Sequence, residues 1–219
     1  MAIQVKICGI TSAEAADAAL RAGADFAGLM FHPNSPRNVS LEQGASLADR
    51  LRGRARIVAV LRDPSDEQLA AIVAQVKPDL VQVHRAESPA RLTAIRARFN
   101  VALIHAVSVA APSDLAGLER FEDVADLFLF DAKPPSGAMR EGGHGAAFDW
   151  QILRGQKIRR PWLLAGGLNA DNVARAIAVS EAPGVDVSSG VESAPGVKSA
   201  EKIAAFIAAA RAANVGAAA

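Results

Sequence analysis

The stretch Leu127-Phe-Leu-Phe-Asp131 runs four apolar residues into a single acid. A strand with one face in water alternates apolar and polar residues, whereas an unbroken apolar run suits a parallel strand covered on both faces. Seven further strand candidates lie at 3–8, 26–31, 56–61, 80–84, 101–107, 162–165 and 185–188, and most of the eight are such continuous runs. The eight starts recur about every 26 residues, the length of one strand, one helix and two loops.

Ala/Leu-rich stretches of helical period lie between the strands along the whole chain. Thr11-Ser-Ala-Glu14 reads as a capping box opening a helix that stops at Gly23. Pro64-Ser-Asp-Glu67 opens another, with Leu69, Ile72, Val73 and Val76 on one face and Pro78 ending it. Asn169 or Asp171 caps a helix that turns Val173, Ala176 and Ile177 inward, and the last helix carries Ile203, Phe206, Ile207 and Ala210 on one stripe. Every second strand is entered through an aspartate: Asp25, Asp79, Asp126 and Asp186. Two readings fit this rhythm. One is a unit of two β–α pairs repeated four times; the other is a general use of Asp at the bottom turns of parallel strands. Asp186 is the ambiguous member, since its strand is short enough for it to sit inside.

Eight β–α units close into a barrel or form an open doubly wound sheet. The length suits an eight-fold barrel, no Gly-x-Gly-x-x-Gly follows the first strand, and polar residues gather after many strands rather than at one switch point. The expectation is a single-domain α/β fold, a (βα)8 TIM barrel over residues 1–211, with an Ala-rich tail at 212–219 that frays. The 24 Lys+Arg against 23 Asp+Glu leave no basic excess for nucleic acid or an anionic membrane. No apolar run reaches about 18 residues, and the start MAIQVKICGI is too short and mixed for a signal sequence. One cysteine makes no intramolecular disulfide, which points to the cytoplasm. No Leu/Phe-rich surface stripe stands out, so a monomer is expected over a homodimer.

In such barrels the functional residues gather at the carboxyl ends of the strands. Gly142-Gly-His-Gly145, Gly166-Gly167 and Ser189-Gly190 follow the sixth, seventh and eighth strands, whose loops are neighbours. Glycine lets backbone N–H groups approach and converge on an anion, and a phosphate site after strands seven and eight recurs in this fold. Gly143, Gly145, Gly166, Gly167, Ser189 and Gly190 are therefore candidate phosphate ligands; the other reading is that these glycines only make tight turns.

Cys8 ends the first strand, and Lys6 shares its strand parity, so a nearby ammonium would favour the thiolate. Against this stands the ordinary behaviour of a free cysteine as a small buried hydrophobe. Asp131, at a barrel mouth after four apolar residues, would be desolvated or held by loop amides. Strands one and six are three steps apart around the ring, so thiol and carboxyl would face each other obliquely, as a base and an acid acting on one small substrate. Arg37 could form a bidentate pair with a substrate carboxylate or be a solvated loop arginine. His84 could donate to a ligand or be a satisfied core histidine, and Asp186 joins these as a substrate-binding candidate. His32, His105 and His144 lack metal-ligand spacing, so no metal is expected. Trp150 and Trp162 read as packing residues.

Together, Val5-Lys-Ile-Cys-Gly-Ile-Thr11, Ser35-Pro-Arg37, Val81-Gln-Val-His84, Leu129-Phe-Asp131, Gly142-Gly-His-Gly145, Leu164-Ala-Gly-Gly-Leu-Asn169 and Gly184-Val-Asp-Val-Ser-Ser-Gly-Val-Glu192 resemble the phosphoribosylanthranilate isomerases of tryptophan biosynthesis. The resemblance runs from residue 5 to about 198 in the family's order. It implies a (βα)8 barrel that needs no cofactor. The implied reaction is the Amadori rearrangement of N-(5-phosphoribosyl)anthranilate to 1-(2-carboxyphenylamino)-1-deoxyribulose 5-phosphate. By resemblance Asp131 matches the general acid, Cys8 the general base, Arg37 the residue beside the anthranilate moiety, and the glycine loops the phosphate site. The implied partner is a small phosphorylated substrate, with neither nucleic acid nor membrane. Two positions depart from the family's pattern: Arg85 follows His84 where glycine is usual, and His144 replaces a threonine. Rival readings are a sugar isomerase of histidine biosynthesis, which would place an aspartate where Cys8 stands, an indole-glycerol-phosphate synthase, and a catalytically silent binding barrel.

Overall fold

The apolar segments pair side by side in chain order, in a computed structural model that describes residues 2–84, 88–133 and 148–213. The strands are β1 (Gln4–Cys8), β2 (Phe26–Met30), β3 (Arg56–Arg62), β4 (Leu80–His84), β5 (Ala102–Val109), β6 (Leu127–Ala132), β7 (Trp162–Leu164) and β8 (Gly184–Val187). All are parallel, and β8 pairs with β1 to close the barrel. Alternate residues point in or out, as strand geometry requires. Phe26, Val58, Val60, Leu80, Ile104, Leu127, Leu129 and Leu163 fill the interior, while Val5, Ile7, Leu29, Phe128 and Phe130 pack outward against the helices.

Four helices open on serine: α1 (Ala13–Ala22), α2 (Leu41–Leu51), α3 (Asp66–Val76) and α4 (Pro89–Phe99). Ser12, Ser40, Ser65 and Ser88 accept the N–H of Ala15, Gln43, Gln68 and Arg91, each such cap being worth about 1 kcal/mol. The first cap is thus Ser12, one residue later than the box read from Thr11. The Thr11 hydroxyl instead donates to the Gly196 carbonyl at 3.0 Å. α1 stops at Gly23 as expected, and α3 stops at Lys77, before Pro78. α5 (Val173–Ser180) follows a turn in which the Asn169 side chain accepts from the N–H groups of Asp171 and Asn172. α6 (Ala200–Ala213) buries Ile203, Phe206, Ile207 and Ala210. It runs two residues into the expected tail, and residues 214–219 lie outside the described residues.

Helices do not fill every connection. Between β5 and β6 the chain makes two 3-10 turns, Pro112–Leu115 and Leu118–Phe121, where Pro112 and Gly117 interrupt any longer helix. The described part of the β6–β7 connection holds one more such turn, Trp150–Leu153. A short antiparallel hairpin, β9 (Glu192–Ala194) with β10 (Val197–Lys198), was not foreseen; it turns at Gly196.

The aspartate rhythm has a physical basis in three of its four places. Asp25 accepts the N–H of Val5 at 2.7 Å, Asp79 that of Ile57 at 2.7 Å and Asp126 that of Leu103 at 2.8 Å. Each ties the start of an odd strand to the entrance of the next even one. Asp186 does not belong to this set. It lies within β8, and the Gln4 N–H goes to the Pro183 carbonyl instead. His105 is a core residue on the helix side of β5. It stacks on Phe121 with ring centroids 4.1 Å apart, its Nδ1 has no partner, and burial pushes its pKa down to about 4. Trp162 packs edge-on to Phe130, and Trp150 packs against the core. Among the described residues no helix is long and apolar enough to cross a membrane.

Candidate active site at the carboxyl ends of the strands

A cavity of about 620 Å³ opens at the carboxyl ends of the strands. Cys8, Arg37, His84, Asp131, Gly166, Gly167, Asp186 and Ser189 all line it, so candidates read from six separate segments converge. Gly143 and Gly145, with Arg85 and His144, lie outside the described residues.

Cys8 ends β1 pointing inward, and Asp131, the last residue but one of β6, continues the inward Leu127 and Leu129. Asp131 accepts the N–H of Ala132 at 2.9 Å and remains partly exposed to the cavity. Burial pushes the Cys8 thiol up, and the ammonium of Lys6 only partly opposes this. The expected thiolate-favouring neighbour is therefore present but is outweighed by desolvation. Lys6 itself is fully buried and bonds Asp186 at 2.8 Å. Asp186, grouped with the substrate ligands from sequence, thus both lines the cavity and holds an interior ammonium.

Arg37 is not a solvated loop residue. Its Nε and Nη2 meet the two oxygens of Glu192 at 2.6 and 2.8 Å, a bidentate fork that leaves Nη1 outside the pair. Glu192 also accepts from Lys198 at 2.8 Å and from the Gly196 N–H at 3.2 Å. Lys198 in turn donates to the Ser188 carbonyl at 3.0 Å, and the Ser188 hydroxyl donates to the Cys8 carbonyl at 3.1 Å. The β9–β10 hairpin therefore anchors the arginine and the end of β1 together. Sequence reading missed Glu192 and Lys198 as site residues. The available signal was a pair of opposite charges flanking Pro195-Gly196, a turn that brings them to one spot.

His84 contacts the Gln82 amide at 2.7 Å, and burial together with the Lys6 charge pushes its pKa down to about 4, so it is neutral near pH 7. It has an internal partner and it lines the cavity. In the glycine loops, Gly166 has φ +91°, and a Cβ there would sit 2.7 Å from the Ala132 nitrogen. A Cβ on Gly190 would sit 1.9 Å from the Leu168 carbonyl oxygen, so only glycine fits where the loops after β7 and β8 touch. Among the described residues no group of three or more His, Cys, Asp or Glu is arranged to hold a metal.

An eight-stranded parallel barrel with a thiol and a carboxyl group in one mouth belongs to the barrel enzymes equipped for proton transfer on a small substrate. The family model described as N-(5'phosphoribosyl)anthranilate (PRA) isomerase matches residues 5–209. The chain belongs to that family. It is 52% identical over 212 residues to N-(5'-phosphoribosyl)anthranilate isomerase of Rhodopseudomonas palustris strain BisA53, covering 97% of both chains. Among solved structures it is similar to phosphoribosyl anthranilate isomerase from Thermotoga maritima, with 34% identity, a TM-score of 0.86, and coverage of 96% of this chain and 99% of that one. It is likewise similar to phosphoribosyl anthranilate isomerase in complex with reduced 1-(o-carboxyphenylamino)-1-deoxyribulose 5-phosphate, at 32% identity and a TM-score of 0.83, covering 96% and 99%. The chain is an isomerase of tryptophan biosynthesis that carries out the Amadori rearrangement of N-(5-phosphoribosyl)anthranilate.

Proposed function

We propose that Asp131 is the general acid and Cys8 the general base of this rearrangement. Asp131 gives its proton to the ribose ring oxygen as the C1–O bond breaks, and the anilino nitrogen lone pair forms the C=N bond of an iminium ion. The cation acidifies the adjacent C–H, so a thiolate of modest basicity suffices. Cys8 takes the C2 proton, the released electrons form the C1=C2 bond, and the nitrogen is neutral again. The enolamine then loses its hydroxyl proton and gains one at C1 to give the ketone. The observation that supports this reading is that both side chains line one cavity from strands three apart in the ring.

The substrate's phosphate is assigned to Gly166, Gly167, Ser189 and Gly190, with Gly143 and Gly145 contributing from the loop after β6. A phosphorylated ligand fits this assignment because the homologous complex holds a 5-phosphate compound. Arg37, held through its fork by Glu192, meets the anthranilate carboxylate with the Nη1 left outside that pair, and His84 and Asp186 line the remaining wall. The catalytic domain reaches at least to Ala213, the end of α6, and works as a monomer in the cytoplasm, needing no cofactor. Val197 is the single exposed large hydrophobic among the described residues, which leaves little apolar surface for a dimer.

Turnover of purified Cys8→Ala and Asp131→Ala tests the assignment. Each is expected to lose about 10²–10⁴ in kcat while still binding a reduced product analogue. Near-normal turnover by either variant removes that residue from its role.

A further inference from the structure

The reaction as described uses the Cys8 sulfur but not the ammonium beneath it. Lys6 lies one inward position below Cys8 on β1, is fully buried, and bonds Asp186 of β8 at 2.8 Å. Gly28 of β2 faces both groups. A Cβ on that glycine would lie 3.1 Å from Cys8 Sγ and 3.4 Å from Lys6 Nζ, so the absent side chain leaves sulfur and ammonium a common space. Burying an ammonium is costly unless it is paired, and one carboxylate oxygen satisfies only one of its three donors.

Among the described residues, the cations that act on the sulfur each have a defined holder. Lys6 comes from β1 and Asp186 from β8; Lys198 comes from β10, fixed by Glu192 and Ser188; Arg37 comes from the loop after β2, fixed by Glu192. Lys6 and Lys198 favour the charged sulfur, while Asp186 and burial oppose it. Neutral His84 adds no charge near pH 7. Asp131 of β6 shares the cavity wall.

We infer that Lys6 is a positioning residue for Cys8: its ammonium, anchored by Asp186, lowers the cost of forming the charged sulfur that accepts a proton. The inference rests on Cys8 being the base. It also explains why a carboxylate stands behind the ammonium. When Cys8 takes the C2 proton and its sulfur becomes neutral, Lys6 still has Asp186 as a counter-ion, and no bare charge remains in the barrel. Asp186 thereby serves the sulfur through Lys6 as well as lining the cavity.

Cys8 is the single cysteine of the chain, so alkylation by iodoacetamide reports on this sulfur alone, independently of catalysis. The experiment measures alkylation rate against pH for the full-length protein and its variants, with kcat and KM alongside. Lys6→Met is expected to move thiolate formation to higher pH and slow alkylation roughly tenfold near neutral pH, with kcat falling in step and KM holding. Asp186→Asn removes the opposing charge but keeps an amide oxygen to hold the ammonium, so it is expected to move thiolate formation to lower pH and speed alkylation. A Lys6→Met profile identical to the parent's overturns the inference. Slower or unchanged alkylation in Asp186→Asn also overturns it, and decides the matter if Lys6→Met does not fold. If alkylation shifts as expected but kcat follows in neither variant, the hold of Lys6 on the sulfur is supported and Cys8 is removed as the base.

Discussion

At the amino ends of the strands, Asp25, Asp79 and Asp126 each accept one backbone N–H of a neighbouring strand. At the carboxyl ends, Asp131 and Asp186 face a shared cavity, one accepting the Ala132 amide and the other against a buried ammonium. The residue type is the same, but the surroundings differ. At the amino end a carboxylate closes a turn and completes the backbone's hydrogen bonding, which stabilises the barrel. At the carboxyl end the loops leave room for a ligand, the charges are packed against one another, and a carboxyl group is available for chemistry. Position along the strand, rather than residue type, divides stability from function.

The largest expected break in this comparison is at Asp131. Asp131→Asn should lower kcat by about 10²–10⁴ with little change in melting temperature, read by steady-state kinetics and a thermal melt. Gly190→Ala comes next. Its Cβ would strike the Leu168 carbonyl, so the β7 and β8 loops must part, and affinity for a phosphorylated product analogue should fall roughly ten- to a hundredfold by calorimetry, as when a hydrogen bond to a charged group is lost. A smaller effect is expected from His105, which lies away from the cavity. Its folded pKa is depressed to about 4, so the unfolded chain binds more protons between the ordinary histidine value and that point. Its contribution is complete above about pH 6.5 and is lost as pH falls through this window, on the order of 2 kcal/mol by pH 5. Urea unfolding of His105→Leu should show a flatter acid limb than the parent; an unchanged limb would remove His105 as its source. The smallest effect is at Asp79, where Asp79→Ala should cost about 1 kcal/mol in urea, because the freed Ile57 N–H can take water at the open end. Turnover should stay at the parent value, and a loss there would dissolve the division between the two ends.

Much of the barrel was legible because its signals are local. Eight strand candidates, Pro64-Ser-Asp-Glu67 before the third helix and Gly23 at a helix end depend on near neighbours in the chain, and each observed strand lies within two residues of its expected bounds. The missing helix after β5 was also local in origin, in Pro112 and Gly117, but the repeating pattern of the other units masked it. Cys8 and Asp131 could be placed at the mouth by counting strands. The clamp of Glu192 on Arg37 could not, because 155 residues separate the partners. Nor could the bond from Lys6 to Asp186, which depends on the last strand closing on the first.

The order of residues by itself determined which segments are strands, where helices start, and which end of each strand carries reactive groups, since those follow from burial on both faces and from hydrogen bonds within a few residues. Only closure of the ring decided which charge meets which: that Asp186 answers Lys6 rather than a strand entrance, that Arg37 is held rather than loose, and that burial outweighs the ammonium at Cys8. Electrostatic energy inside a barrel depends on distances across it and on the exclusion of water, and neither exists until the first and last strands pair.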